Sequence, residues 1–130
     1  MSISGITSNL TTKDFKINND TVHVKTNGNP GLLLIHASWC GHCKNFVPTY
    51  QALCKKLNKT GHNFPCLAIE NEQLKQDGGS LSDALGVEGY PTLKFFDQHG
   101  KIIGDYNGSR QESDLLDNIC KVYHHCVTKH

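Results

Sequence analysis

The stretch Leu32-Leu33-Leu34-Ile35-His36-Ala37-Ser38-Trp39-Cys40-Gly41-His42-Cys43 sets an unbroken apolar run just before two cysteines separated by two residues. A short continuous run such as Leu32 to Ala37 fits a central strand buried on both faces, as in the parallel sheets of α/β proteins. Downstream, Cys40 to about Asn58 has helical periodicity, with Phe46, Tyr50, Leu53 and Leu57 on one stripe and Val47 and Cys54 beside it. Pro48 lies inside this helix and is expected to kink it, because it removes a backbone donor. The two cysteines therefore stand at a strand-to-helix junction.

Outward from that junction, Leu10 to Phe15 reads as a lead-in that Thr11 or Thr12 can cap. Thr21 to Lys25 alternates as a strand, and Asn27 to Gly31 is a turn cluster. Pro65 to Ile69 reads as a further strand, followed by a loop and a short helix around Leu81 to Leu85. Thr92 to Phe96 and Lys101 to Tyr106 form a candidate hairpin about a turn at Asp97 to Gly100. Ser109-Arg110-Gln111-Glu112 matches a capping box for a last helix with Leu115, Ile119, Val122 and Cys126 as its buried stripe. The order βαβ then ββα, with no internal repeat or linker, implies one α/β domain over 1–130, with 1–9 a lead-in: a small mixed sheet covered by helices.

Cysteines spaced C-x-x-C on one turn can bond to each other or expose one thiol while the other withdraws. Cys40 at the helix amino terminus gains thiolate character from unsatisfied N–H groups. His42 adds a potential positive charge beside it, and stabilising the thiolate makes the disulfide more oxidising. Cys43, deeper in the turn, is the candidate resolving thiol. A structural disulfide or half of a metal site competes with this redox reading. No second C-x-x-C completes a zinc ribbon, and the flanking Trp39, buried strand and amphipathic helix favour redox chemistry.

Composition narrows the classes. The 130 residues carry 13 basic and 12 acidic side chains, a formal net charge of +1, which leaves no nucleic-acid footprint. No run approaches the roughly 18 apolar residues a membrane span needs. The termini show neither a secretory signal nor an endoplasmic-reticulum retention signal. The expectation is a monomer that binds no membrane and needs no cofactor, in the cytoplasm or, for a virus-encoded chain, a virion, rather than the endoplasmic-reticulum lumen.

Trp39-Cys40-Gly41-His42-Cys43-Lys44 resembles the active site of protein disulfide isomerase catalytic domains, which are thioredoxin-like. Val87-Glu88-Gly89-Tyr90-Pro91-Thr92-Leu93-Lys94-Phe95-Phe96 resembles the family's cis-proline loop, and Tyr106-Asn107-Gly108-Ser109-Arg110 the approach to its final helix. The resemblance runs from about Leu10 to Tyr123 and implies a thioredoxin fold, a mixed sheet flanked by helices. It further implies a thiol–disulfide oxidoreductase acting on protein thiols and disulfides, with a redox partner. Cys40 would be the nucleophile and Cys43 the resolving thiol. Trp39, Gly41, Tyr90 and a cis Pro91 would meet substrate, and Arg110 would favour the Cys43 thiolate.

Two departures stand out. The family places a buried acid six residues before the first cysteine, as proton acceptor for the second; here Leu34 stands there, and Ala68 replaces the lysine often paired with it. His36, where an aromatic is usual, is either a core histidine bonded to the backbone or a substitute proton handler.

The remaining cysteines are expected to be quiet. Cys54 and Cys66 read as buried thiols, with a bridge between them left open. Cys120 and Cys126, six apart on a continuous helix, would face differently and not readily bridge. Cys120, His124, Cys126 and His130 invite a metal set, against which a mix of core and solvated residues is expected. A peptide-binding thioredoxin module with weak redox turnover is the alternative function, and a metal- or thiol-buffering protein a third.

Overall fold

A computed structural model describes residues 6–59 and 63–126. A one-turn 3-10 helix at Thr12–Asp14 leads into a hairpin, β1 (Phe15–Asn18) and β2 (Thr21–Val24). Then come β3 (Gly31–His36), α1 (Gly41–Leu57), β4 (Cys66–Glu70), α2 (Asn71–Leu74), α3 (Ser80–Leu85), β5 (Thr92–Phe96), β6 (Ile102–Asp105) and α4 (Glu112–Tyr123). The main sheet has the order β4-β3-β5-β6, with β3 parallel to β4 and antiparallel to β5, and β5 antiparallel to β6. The mixed α/β sheet and the β5–β6 hairpin are those expected from the sequence.

The apolar run explains why β3 is central: all six of its residues are buried. Leu32 and Leu34 face a cluster with Phe46, Tyr50 and Leu53 of α1 and Leu115 and Ile119 of α4. Leu33 and Ile35 face the opposite cluster, with Val22, Val24, Leu74, Leu81 and Leu85. Each such side chain contributes roughly 1.5–3 kcal/mol when removed from water. Tyr50 is fully buried, and its hydroxyl reaches the carbonyl oxygens of Leu67 at 2.8 Å and Leu32 at 3.3 Å, tying α1 to β4 and β3. Pro48 lies inside α1 and removes the N–H that would bond Lys44.

The structure corrects several expectations. The lead-in continues into β1, which alternation missed because Lys16, Ile17 and Asn18 are all exposed. The one-turn α2 falls in what reads as a loop. The capping box at Ser109–Glu112 does not form: Gln111 is the N-cap without a side-chain bond, and Glu112 instead pairs with Lys56 of α1 at 2.7 Å. At the lead-in, Thr11 does cap, with Asp14 completing a capping box.

The last helix also stops early. It ends at Tyr123, and His124 turns left-handed at φ 57°, so Cys126 is exposed rather than part of the stripe; Val122, still on the helix, is exposed too. Off the helix, Cys126 returns to bond Cys120, with Cα atoms 4.4 Å apart. The expected separation failed because it assumed a helix through residue 126. Cys54 and Cys66 are bonded too, Cα atoms 6.2 Å apart, rather than lying as free thiols. Among the described residues no helix is long and apolar enough to cross a membrane.

Candidate active site

Cys40 and Cys43 are the free thiols of the molecule. Cys40 is the N-cap of α1, in an extended conformation and with no side-chain cap bond, so its sulfur is not engaged in holding the helix. Its N–H donates to Ala37 at 3.1 Å and its carbonyl receives Lys44 N–H at 3.2 Å, which fixes the turn. One turn on, Cys43 points inward at 2% exposure, and its sulfur accepts the Ala37 N–H at 3.4 Å. A single loop residue thus holds both cysteines.

The cis-proline loop arrives through strand register. Ile35 of β3 pairs with Thr92 of β5, so Pro91 stands level with the end of β3, where the cysteine turn begins. The Tyr90–Pro91 peptide bond is cis, and the Tyr90 carbonyl oxygen lies 3.7 Å from Cys40 Sγ. Trp39 is 67% exposed and meets the Tyr90 ring edge-on at 5.7 Å. Tyr90 is held from below by a hydroxyl bond to Asn71 of α2. Asn71 escaped the sequence reading because α2 did.

The two thiols ionise oppositely. The Cys40 pKa falls below the ordinary thiol value, chiefly through a backbone bond from Cys43; burial opposes this, and the Cys43 side chain, the His42 backbone and the Arg110 charge add to it. Cys43 is pushed up to about 11 by burial, with the Ala37 N–H as the main offset and Arg110 also lowering it. His42, the residue whose imidazole the sequence sets beside Cys40, is exposed, and its main chain adds to the lowering of Cys40. Arg110 Nη2 lies 3.5 Å from the Pro91 carbonyl oxygen, near enough to act on both sulfurs. A side chain at Gly41 would meet nothing within 4 Å, so the surface over the dithiol is open.

Beside the dithiol runs a groove of about 400 Å³, lined by Phe46, Tyr90, Pro91, Asp105, Tyr106 and Arg110 among others. In the core, Leu34 and Ala68 are direct partners in the β3–β4 register, 1% and 0% exposed. The two departures from the family pattern therefore coincide in space. His36 is buried and opposite Glu70; burial lowers its pKa while the Glu70 charge raises it. Cys120 and Cys126 are spent on each other, and His130 lies outside the described residues.

The thioredoxin family model matches residues 9–121. The chain belongs to the thioredoxin family. This thioredoxin-family chain is 37% identical over 102 residues to protein disulfide-isomerase erp38 of Neurospora crassa, covering 77% of the chain and 27% of that protein. It is 33% identical over 86 residues to a protein disulfide-isomerase of Zea mays, covering 66% of the chain and 16% of that protein. It thus spans about a quarter or less of the length of these curated relatives. Among solved structures, the first thioredoxin domain of mouse protein disulfide-isomerase A4 matches with TM-score 0.56 and 26% identity, covering 85% of this chain and 78% of that one. Human ERp44 matches with TM-score 0.66 and 22% identity, covering 93% and 30%, a likeness of fold.

Proposed function

We propose that this chain is a protein disulfide-isomerase-like thiol–disulfide oxidoreductase acting on protein substrates through a mixed disulfide at Cys40. One observation carries the reading: the asymmetry of the pair, with Cys40 half-exposed and lowered in pKa beside the Tyr90 carbonyl, and Cys43 buried and raised. In the reducing sense, Cys40 thiolate attacks a substrate disulfide and one substrate sulfur leaves as thiolate. Cys43 then gives up its proton and attacks Cys40 Sγ, freeing the second substrate sulfur and leaving Cys40 and Cys43 bonded. The oxidising sense reverses each step, so the substrate loses the two electrons that the site gains. Oxidase, isomerase and reductase are directions of one exchange, set by the redox partner.

Trp39, Tyr90 and Pro91 suit an extended substrate segment, whose backbone can pair beside the attacking sulfur. Arg110 favours both thiolates, against the burial that opposes their ionisation. The test is equilibration across glutathione ratios, alkylation, and peptide-resolved thiol counting in wild type and Cys43→Ser. A two-electron couple at Cys40 and Cys43, with mixed disulfide accumulating in the variant, is expected. The second reading is a peptide-binding module with weak turnover, favoured by the wholly apolar Leu34–Ala68 pair. Absence of exchange at Cys40 would sink the enzyme and leave that module.

A further inference from the structure

The mechanism above leaves the Cys120–Cys126 pair unused. Two features hold its turn without help from the sulfurs. Tyr123, the last residue of α4, donates its hydroxyl to the carbonyls of Gly31 and Phe96, each at 2.9 Å. His125 Nε2 lies 3.0 Å from the Leu57 carbonyl oxygen, and its ring stacks on Phe64 at 5.5 Å. Cys120 and Cys126 flank this anchored turn, so opening the bond leaves two thiols close together and ready to close again.

Access separates the two non-catalytic disulfides. Cys54 and Cys66 are 2% and 5% exposed, whereas Cys126 is exposed and Cys120 half-buried. Exchange needs a thiolate to reach a disulfide sulfur, and the tail pair offers one. Its place in the fold fixes where that thiolate comes from. Gly31 and Phe96, which Tyr123 grips, are the start of β3 and the end of β5, while the dithiol lies beyond the end of β3 and the start of β5. A strand of six residues spans about 20 Å. The Cys40–Cys43 pair of the same molecule is therefore out of reach.

We propose that Cys120–Cys126 is a second exchange site, which takes electrons from a dithiol on another molecule, the reduced Cys40–Cys43 pair of a second copy being the donor at hand. Cys40 thiolate of the donor attacks Cys126 Sγ, and Cys120 leaves as thiolate and takes up a proton. Donor Cys43 loses its proton and attacks Cys40 Sγ, releasing Cys126. Two electrons and two protons pass over, so the donor ends as Cys40–Cys43 disulfide and the acceptor as two tail thiols. This rests on the exchange chemistry assigned to Cys40 above.

The acceptor for the test is full-length Cys40→Ser/Cys43→Ser with its tail oxidised. The donor is reduced Cys120→Ser/Cys126→Ser, whose dithiol is intact. After mixing, acid quenching and alkylation, peptide mass spectrometry reads each cysteine. Label at acceptor Cys120 and Cys126 is expected to rise about tenfold or more over acceptor alone, matched by loss of donor thiols, with Cys54–Cys66 protected. Parallel arms give the donor oxidised glutathione and the acceptor reduced glutathione. A donor that reduces oxidised glutathione but leaves the tail bonded overturns the proposal while the enzyme reading stands. A donor that reduces neither overturns the enzyme reading, and the glutathione-treated acceptor then decides: a tail that opens while Cys54–Cys66 stays shut supports a second exchange site, and one that stays bonded overturns it.

Discussion

Leu34 and Ala68 stand side by side in the β3–β4 register, 1% and 0% exposed, where the family resemblance expects an acid and a lysine. Leu34→Glu changes volume little, so its cost comes from the carboxyl, about 3–5 kcal/mol for a buried group left without a partner. Burial raises the native pKa of the introduced group above its unfolded value of about 4.3. The penalty is therefore smallest below about pH 4 and grows as pH rises toward the native pKa. Ala68→Lys alone overfills a closed site and buries an ammonium, costing about 2–4 kcal/mol. Together the two groups face each other across strands about 4.8 Å apart, and a coupling energy of about 2–3 kcal/mol is expected. Urea midpoints of wild type, both single variants and the double variant, at pH 5 and pH 8, measure it. The pH slope of the Glu variant should flatten in the double variant. The double variant should also release a trapped mixed disulfide faster at pH 7, since the family's acid is the proton acceptor for the second cysteine. Purely additive penalties, independent of pH, would refute the idea that the two positions share one dry pocket.

The ionisation split predicts that iodoacetamide modifies Cys40 first: with a pKa of about 11 against the ordinary 9.0, Cys43 holds about 100-fold less thiolate at pH 7 than an unperturbed thiol. Arg110→Met should move both labelling profiles to higher pH, and equal labelling of the two cysteines at pH 7 would contradict the split. His36 has a native pKa depressed by burial, so its contribution to stability is present above its unfolded value of about 6.5 and is lost as pH falls. His36→Phe should remove that acid-side decline in urea midpoint between pH 7 and pH 5; an unchanged slope would assign it to other groups. Gly100 and Gly78 share φ +83°, but a Cβ at Gly100 would lie 1.9 Å from the Val24 carbonyl oxygen, while Gly78 faces open space. Gly78→Ala should cost about 1 kcal/mol and Gly100→Ala about 3 kcal/mol or more by thermal unfolding, and equal losses would count against the clash.

The sheet and the long helix were legible because burial leaves a periodic trace. Leu32 to Ala37 fits a strand wet on neither face, and Phe46, Tyr50, Leu53 and Leu57 mark one helix stripe. β1 left no such trace, since three of its four residues face water. The two cysteines of the site were legible from spacing, and Pro91 and Arg110 only through the resemblance. What escaped was carried by backbone: the Ala37 N–H on Cys43, and the His42 main chain beside Cys40. Main-chain donors have no residue code, so a motif reveals them only once the turn is built. The tail disulfide escaped for a related reason, because it depends on where α4 stops and His124 turns left-handed.

The paired cysteines also bear on where such a chain can work. The termini led to an expectation of a cytoplasmic or virion setting, in tension with a Cys-Gly-His-Cys site suited to oxidation. Disulfides persist where the surroundings are oxidising and are kept open by cytosolic thiol systems. Cys54 and Cys66 join α1 to β4 beneath the surface, at 2% and 5% exposure, so once closed their bond is shielded from thiols in solution. Its formation therefore belongs to folding, when both sulfurs are still accessible, and requires an oxidant at that moment. The exposed Cys120–Cys126 bond has no such shield and persists only where the surrounding thiol pool is itself oxidised. The buried bond speaks for the conditions of folding and the exposed one for the conditions of residence. Both weigh on the side of an oxidising environment, for folding and for residence alike.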